Sequence, residues 1–206
     1  TNYNDAEIGK KAVLLLDKLG YEVTFVDHPD CGRPQLSKGL LDEAKELAEA
    51  NVKLFADIVS EEVPLVGIEP SAILTFRDEF ISLTRGELQG KARNLAKHTF
   101  TIEEFLAREI DRGHIRTEQF TEEKKLIKVH GHCHQKSLSS MTPTKKILSL
   151  PKNFEVQMIP SGCCGMAGSF GYEKEHYELS MKIGELVLFP TVRKQPKEVI
   201  IAASGT

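Results

Sequence analysis

Apolar positions first recur at helical spacing. Ile8, Ala12, Leu15, Leu16 and Leu19 mark one face over residues 6–19, and Gly20 is placed to stop the helix. Residues 21–26 then read as a strand, and 27–34 as a turn-rich loop. A long helix rich in alanine and leucine is predicted over 40–58, and a short strand of the buried parallel kind over 64–68. Further helices are predicted over 73–83 and 87–113. The second is heavily charged, with Thr101 ahead of Glu104 as a capping box before Phe105 and Leu106. Residues 119–125 are polar and read as a surface loop. The pattern then restarts, with a strand over 126–129 running into His130-Gly131-His132-Cys133-His134 and a short helix over 144–150. A strand over 154–159, a helix over 172–189 ended by Pro190, and a last strand over 198–203 complete it. Alternating strands and helices predict an α/β protein with mostly parallel sheets.

The restart is also a repeat. Tyr21, Glu22 and Val23 fall on Phe154, Glu155 and Val156, and without a gap Cys31-Gly32 falls on Cys164-Gly165. The helices ahead of these strands align as well, 11–19 on 144–152. Two related Rossmann-like half-domains are expected, residues 1–125 and 126–206, each with a site at the same topological place. At this offset Cys133 corresponds to a position just before Thr1, and residues 64–72 resemble 199–206. The chain is therefore expected to be a piece of a longer protein.

Composition narrows the function classes. The 206 residues are 40% hydrophobic and 28% charged with a net charge of -3, so no basic footprint for nucleic acid exists. No apolar run approaches the ~18 residues of a membrane span, and the N-terminus lacks the basic-then-apolar order of a signal peptide. Four cysteines, two of them adjacent, suit metal or redox chemistry in a reducing cytoplasm better than a secreted disulfide framework.

Those adjacent cysteines stand in Ser161-Gly162-Cys163-Cys164-Gly165-Met166-Ala167-Gly168-Ser169-Phe170-Gly171. Neighbouring Cα atoms are only about 3.8 Å apart, below the usual disulfide range of about 4.4–6.8 Å. Two soft ligands offered to one metal centre explain the pair better, with glycines letting the backbone approach closely.

Three stretches resemble the cysteine-rich CCG domain of the heterodisulfide reductase B-subunit and glycolate oxidase iron–sulfur family. They are His132-Cys133-His134-Gln135-Lys136, the 162–172 loop, and Cys31-Gly32-Arg33-Pro34 followed by Ser37-Lys38-Gly39. The resemblance is closest to the C-terminal part of FAD-linked D-lactate dehydrogenase and glycolate oxidase types. It implies an iron–sulfur cluster of the 4Fe–4S type, or zinc as the alternative, held by Cys133, Cys163 and Cys164. It also implies FAD in an upstream flavin domain, a ferredoxin-like segment, and a quinone or carrier protein as electron acceptor. The location it implies is the cytoplasm, or the inner face of the membrane as a peripheral protein. A last cysteine is expected shortly after Thr206. In the first half Asp30 and Ala72 stand where the family has cysteines, so that half is expected to be degenerate.

The chain then reads as the electron-transfer domain of an FAD-linked 2-hydroxy-acid dehydrogenase, inactive by itself. The alternatives are a cluster-based heterodisulfide or thiol reductase and a zinc-stabilised module without redox role. His132 and His134 are candidate ligands or donors to the centre, on the expectation that His130, His132 and His134 alternate along an extended segment. Cys31 is a weaker ligand candidate, reading better as structural. Arg33 either binds a carboxylate or acidic partner or orders its loop through a salt bridge. His176 either reaches back to the cysteine loop or stands exposed on its helix.

Overall fold

The structure is a computed structural model and describes residues 6–205. Its first half contains α1 (Ala6–Lys18), α2 (Arg33–Lys38), α3 (Leu41–Phe55), β1 (Leu65–Gly67), α4 (Pro70–Thr75), α5 (Glu79–Leu83), α6 (Gly86–Lys97), β2 (Thr99–Thr101) and α7 (Ile102–Asp111). The second half follows with β3 (Lys125–His130), α8 (Cys133–Leu138), α9 (Thr142–Leu148), β4 (Phe154–Met158), α10 (Tyr177–Leu186), α11 (Leu188–Arg193) and β5 (Ile200–Ala203). Strands β1 and β2 pair in parallel, and β3 lies between β4 and β5, parallel to both. The chain is an α/β protein with parallel sheets, as the alternation predicts.

Two packing centres hold the first half. Ala48, Val52 and Phe55 of α3 meet Phe76, Phe80, Ala92 and Leu95, with Phe55 edge-on to Phe76 at 5.8 Å between ring centroids. Leu16 of α1 meets Phe105, Leu106 and Ile115. In the second half Ile127 and Val129, the alternate residues of β3, pack with Val156 of β4. Each such side chain stabilises the fold by about 1.5–3 kcal/mol on burial.

The capping box forms: Thr101 Oγ1 accepts from the Glu104 N–H, and the Glu104 carboxylate accepts from the Thr101 N–H. Glu104 also accepts from Arg77 through both oxygens and from the Ser139 hydroxyl, so one carboxylate joins three elements from both halves.

Five sequence expectations change. Residues 21–26 form no strand. Tyr21 and Val23 pack against one core and Val26 against the other, but no described strand of the first half stands where β3 stands beside β4. The helix expected over 73–83 starts earlier, at Pro70 behind its Glu69 cap, and is split at 76–78, between the Phe76 C-cap of α4 and the Asp78 N-cap of α5. The helix expected over 87–113 is interrupted by β2, whose buried Thr99 and Thr101 pair with β1. The histidine stretch is extended only through His132, because α8 begins at Cys133. Pro190 ends nothing: it sits in the first turn of α11, where its missing N–H costs little, and the break falls at Val187. One equivalence of the repeat does persist, since Gly32 and Gly165 both take positive φ, 72° and 100°.

Gly165 fixes the cysteine loop against α10. A Cβ there would lie 2.2 Å from the Ser180 carbonyl oxygen, in a backbone conformation that side chains disfavour. G165A is expected to cost roughly 3 kcal/mol, combining steric and backbone strain, read as a lower urea midpoint.

Glu109 is the other fixed point. Its side chain is 5% exposed and accepts from Tyr21 (2.9 Å), His114 (2.7 Å), Arg108 and Arg112 (3.3 Å each). Burial pushes its carboxyl up, but the hydrogen bonds from His114 and Tyr21 and the Arg108 charge hold it below the ordinary value. Burial and the same carboxylate push the Tyr21 hydroxyl well up. A depressed carboxyl contributes stability above its unfolded value, about 4.3, and loses it as pH falls through the folded one. E109Q is therefore expected to lower stability at pH 7 by about 2 kcal/mol, and to make the loss of stability below pH ~4 shallower, in urea melts across pH 3–7.

Candidate metal centre

The three parallel strands of the second half deliver their C-terminal ends to one cavity of about 360 Å³. This is where open α/β sheets place ligands. The end of β3 brings His130, His132, Cys133 and His134. The loop after β4 brings Cys163, Cys164 and the Met166-Ala167-Gly168 turn, and the end of β5 brings Ala203, Ser204 and Gly205. The first half closes the cavity with Arg33 and Ser37 of α2 and Ser71 of α4.

Local chemistry sets each thiol. Cys133 is the first residue of α8, with Sγ 3.7 Å from the Gly162 carbonyl oxygen and within hydrogen-bonding reach of Cys163. Cys163 Sγ accepts from the Gly165 N–H at 3.3 Å. Behind Cys164, Gly184 has no room for a side chain, because a Cβ would meet the Phe189 ring at 2.4 Å and the Cys164 carbonyl oxygen at 2.9 Å. Ala167 holds φ at 42°, an uncommon strain for a residue with a side chain, in the same turn. Lys136 ties the two walls, donating to the Ser161 and Gly162 carbonyl oxygens at 3.1 and 2.9 Å.

Burial pushes the Cys133 thiol up, as does Cys163 beside it, while Lys136 pulls the other way. Burial also pushes His130 and His132 down. His130 Nδ1 is 2.7 Å from the Ser161 hydroxyl, buried and satisfied. His132 Nδ1 accepts from the His134 N–H at 3.2 Å, and its Nε2 faces Glu69. His134 Nε2 is buried in the cavity wall and has no hydrogen-bond partner among the described residues. Of the two histidines singled out in the sequence, His134 is the one with a nitrogen to spare.

Among the described residues, no three Cys, His, Asp or Glu side chains converge on a point that could hold a metal ion. Cysteines that hold a multi-iron cluster bind different irons and need not converge on one point. Three thiols lining one cavity with an unsatisfied buried imidazole nitrogen therefore fit a cluster better than a single ion. Bound metal would also pull down the Cys133 thiol that burial raises.

The other candidates lie apart. Cys31 does not line the cavity. It packs against the first-half core, and burial pushes its thiol up. Arg33 pairs with Glu79 at 2.5 Å while still facing the cavity. His176 stacks on Phe170 at 4.1 Å and meets Glu173 at 2.8 Å, away from the cysteines. Sequence reasoning missed Glu69, Ser37, Ser71, Lys136 and Ser204. Docking of the two halves brings in Glu69 and Ser71, and Ser37 stood in the Ser37-Lys38-Gly39 stretch without a sign that it would reach this cavity. Lys136 and Ser204 stood inside or beside the motifs, but their partners across the cavity did not show.

Known proteins resemble this chain along its length. One component of the anaerobic glycerol-3-phosphate dehydrogenase of Escherichia coli K12 is 25% identical over all of it, and the chain spans 50% of that protein. D-2-hydroxyglutarate dehydrogenase of Pantoea ananatis is 26% identical over 98% of the chain, which covers 19% of that protein. Lactate utilization protein A 1 of Bacillus mycoides is 31% identical over 80% of the chain, covering 66% of that protein. The chain thus spans half or less of the first two relatives. No solved structure matches it. The cysteine-rich domain family known as CCG matches residues 127–206, which hold β4, β5, all but the first two residues of β3, and every cysteine of the cavity. The second half of this chain belongs to the CCG cysteine-rich domain family.

Proposed function

We propose that the chain is an electron-transfer domain whose cavity holds an iron–sulfur cluster, of the 4Fe–4S type, on Cys133, Cys163 and Cys164. The observation that carries this is the meeting of those three cysteines in one cavity, after the ends of the adjacent parallel strands β3 and β4. When bound, such a cluster accepts and passes on single electrons. The chain's own residues do the rest. Gly165 and Gly184 let the Cys163-Cys164 loop lie against α10, and Lys136 holds that loop to α8. His134, in the cavity wall with its Nε2 unpartnered among the described residues, is the further candidate donor or ligand. The first half, residues 1–125, is a cysteine-poor relative of the second that covers the cavity with α2 and α4.

In the whole protein this domain relays electrons from an FAD-dependent dehydrogenase of a 2-hydroxy acid, D-lactate or glycolate, to a quinone or carrier protein. Support comes from relatives named as dehydrogenases or parts of them and from a lactate utilization protein. No described helix is long and apolar enough to cross a membrane.

The full-length protein, purified without oxygen, tests the relay. On mixing with D-lactate or glycolate, C164S is expected to leave substrate-driven flavin bleaching within about twofold of the parent, while acceptor reduction falls at least tenfold. Each tenfold loss is a barrier increase of about 1.4 kcal/mol. Equal acceptor reduction by parent and C164S would overturn the relay. Turnover of a heterodisulfide without response to hydroxy acids would replace it with a thiol reductase.

A further inference from the structure

The half without a cysteine set reaches the cysteine that opens α8. Glu69 caps α4, its Oε1 accepting from the Ser71 N–H at 3.1 Å and the Ser71 hydroxyl at 2.8 Å. The same oxygen lies 3.7 Å from His132 Nε2, and both side chains are shielded, 24% and 20% exposed. His132 is the cap of α8: its Nδ1 accepts from the His134 N–H. A backbone N–H only donates, so Nδ1 carries the lone pair and the ring proton sits on Nε2, facing the carboxylate. The hydrogen bond from residue 134 back to 132 closes a small loop that contains the Cys133 backbone. Gly205 packs the third side, where a Cβ would lie 2.7 Å from His132 Cδ2 and 3.2 Å from Glu69 Oε1.

We propose that Glu69 is a positioning residue for Cys133: its carboxylate holds His132 as the Nε2–H tautomer, and the ring, as the cap of α8, sets the direction of the thiol. This deepens the reading of the cavity as a metal centre and rests on it for its purpose, but the geometry belongs to the protein itself. It gives the cysteine-poor half a task at the centre of its partner half. It also takes His132 Nδ1 out of the ligand set, since that nitrogen accepts from the His134 N–H.

The test uses the metal-free protein first. Nitrogen-15 NMR of the histidine rings is expected to show His132 protonated at Nε2. E69Q keeps the acceptor that caps α4 and so guards against misfolding; E69A removes it. E69A is expected to release the His132 tautomer, whereas E69Q, whose amide oxygen still faces Nε2, is expected to keep it. Loss of the carboxylate charge in both is expected to change the rate of Cys133 alkylation by iodoacetamide at least about threefold, the scale of a lost cap, with Cys31 as the unchanged reference. In an H132N background, where the amide oxygen caps α8 without help, E69Q is expected to have no further effect. Iron-loaded E69Q is expected to keep its iron and shift its reduction potential. His132 protonated at Nδ1 in the parent, or unchanged Cys133 alkylation in both Glu69 variants, would overturn the proposal. Failure to bind iron would count against the metal centre alone, because the tautomer and alkylation readouts need no metal.

Discussion

The parallel pairing of β3 with β4 on one side and β5 on the other decides where chemistry can occur. In register, Val129 lies beside Met158 and Ala202, so the three chains leave the sheet at one edge. Every cysteine of the second half hangs within a few residues of that edge. The buried Ile127, Val129 and Val156 that hold this sheet therefore hold the cavity as well. A slip of one residue would send the side chains of β3 to the other face and separate Cys133 from the double-cysteine loop.

The two halves are joined by an apolar seam, where Ile147 and Leu150 pack on the Phe105 and Leu106 cluster, and by polar pairs, Lys146 with Asp111 among them, some of which border the cavity. Glu104 binds Arg77 and Ser139, Lys38 pairs with Glu173 beside the cysteine loop, and Glu69 faces His132. Two apolar clusters stay within one half each, Phe55 with Phe76 and Phe80 in one and Val129 with Val156 in the other, while the third takes in Ile147 and Leu150 of the second half. A half that has lost its own cysteine set is thus retained as a wall, with Arg33, Ser37 and Ser71 lining what Cys133, Cys163 and Cys164 offer.

Long periodic elements were legible in the sequence. The faces of α1 and α3, the strands of the second sheet and the Thr101–Glu104 box follow from spacing alone. Strand β2 was not, because three residues between two charged helices carry too little pattern to compete with their flanks. Residues 21–26 have the composition of a strand, but a strand also needs a neighbour, and composition does not supply one. At the site, glycine and cysteine chemistry pointed to the loop directly. The role of His132 did not show, because a cap depends on where a helix starts, and the reading of 130–134 as extended hid that start at Cys133. Glu69 lay further out of sight, since its contact with His132 exists only once the halves have docked.

Three cysteines of one cavity holding iron and sulfide together is the claim on which the relay stands. X-ray absorption at the iron edge, on protein purified without oxygen, tests it most directly. The expected result is iron surrounded by sulfur with a second shell of iron, lost when Cys133, Cys163 and Cys164 are changed to serine. Iron without iron neighbours, or a site filled by zinc alone, would contradict it.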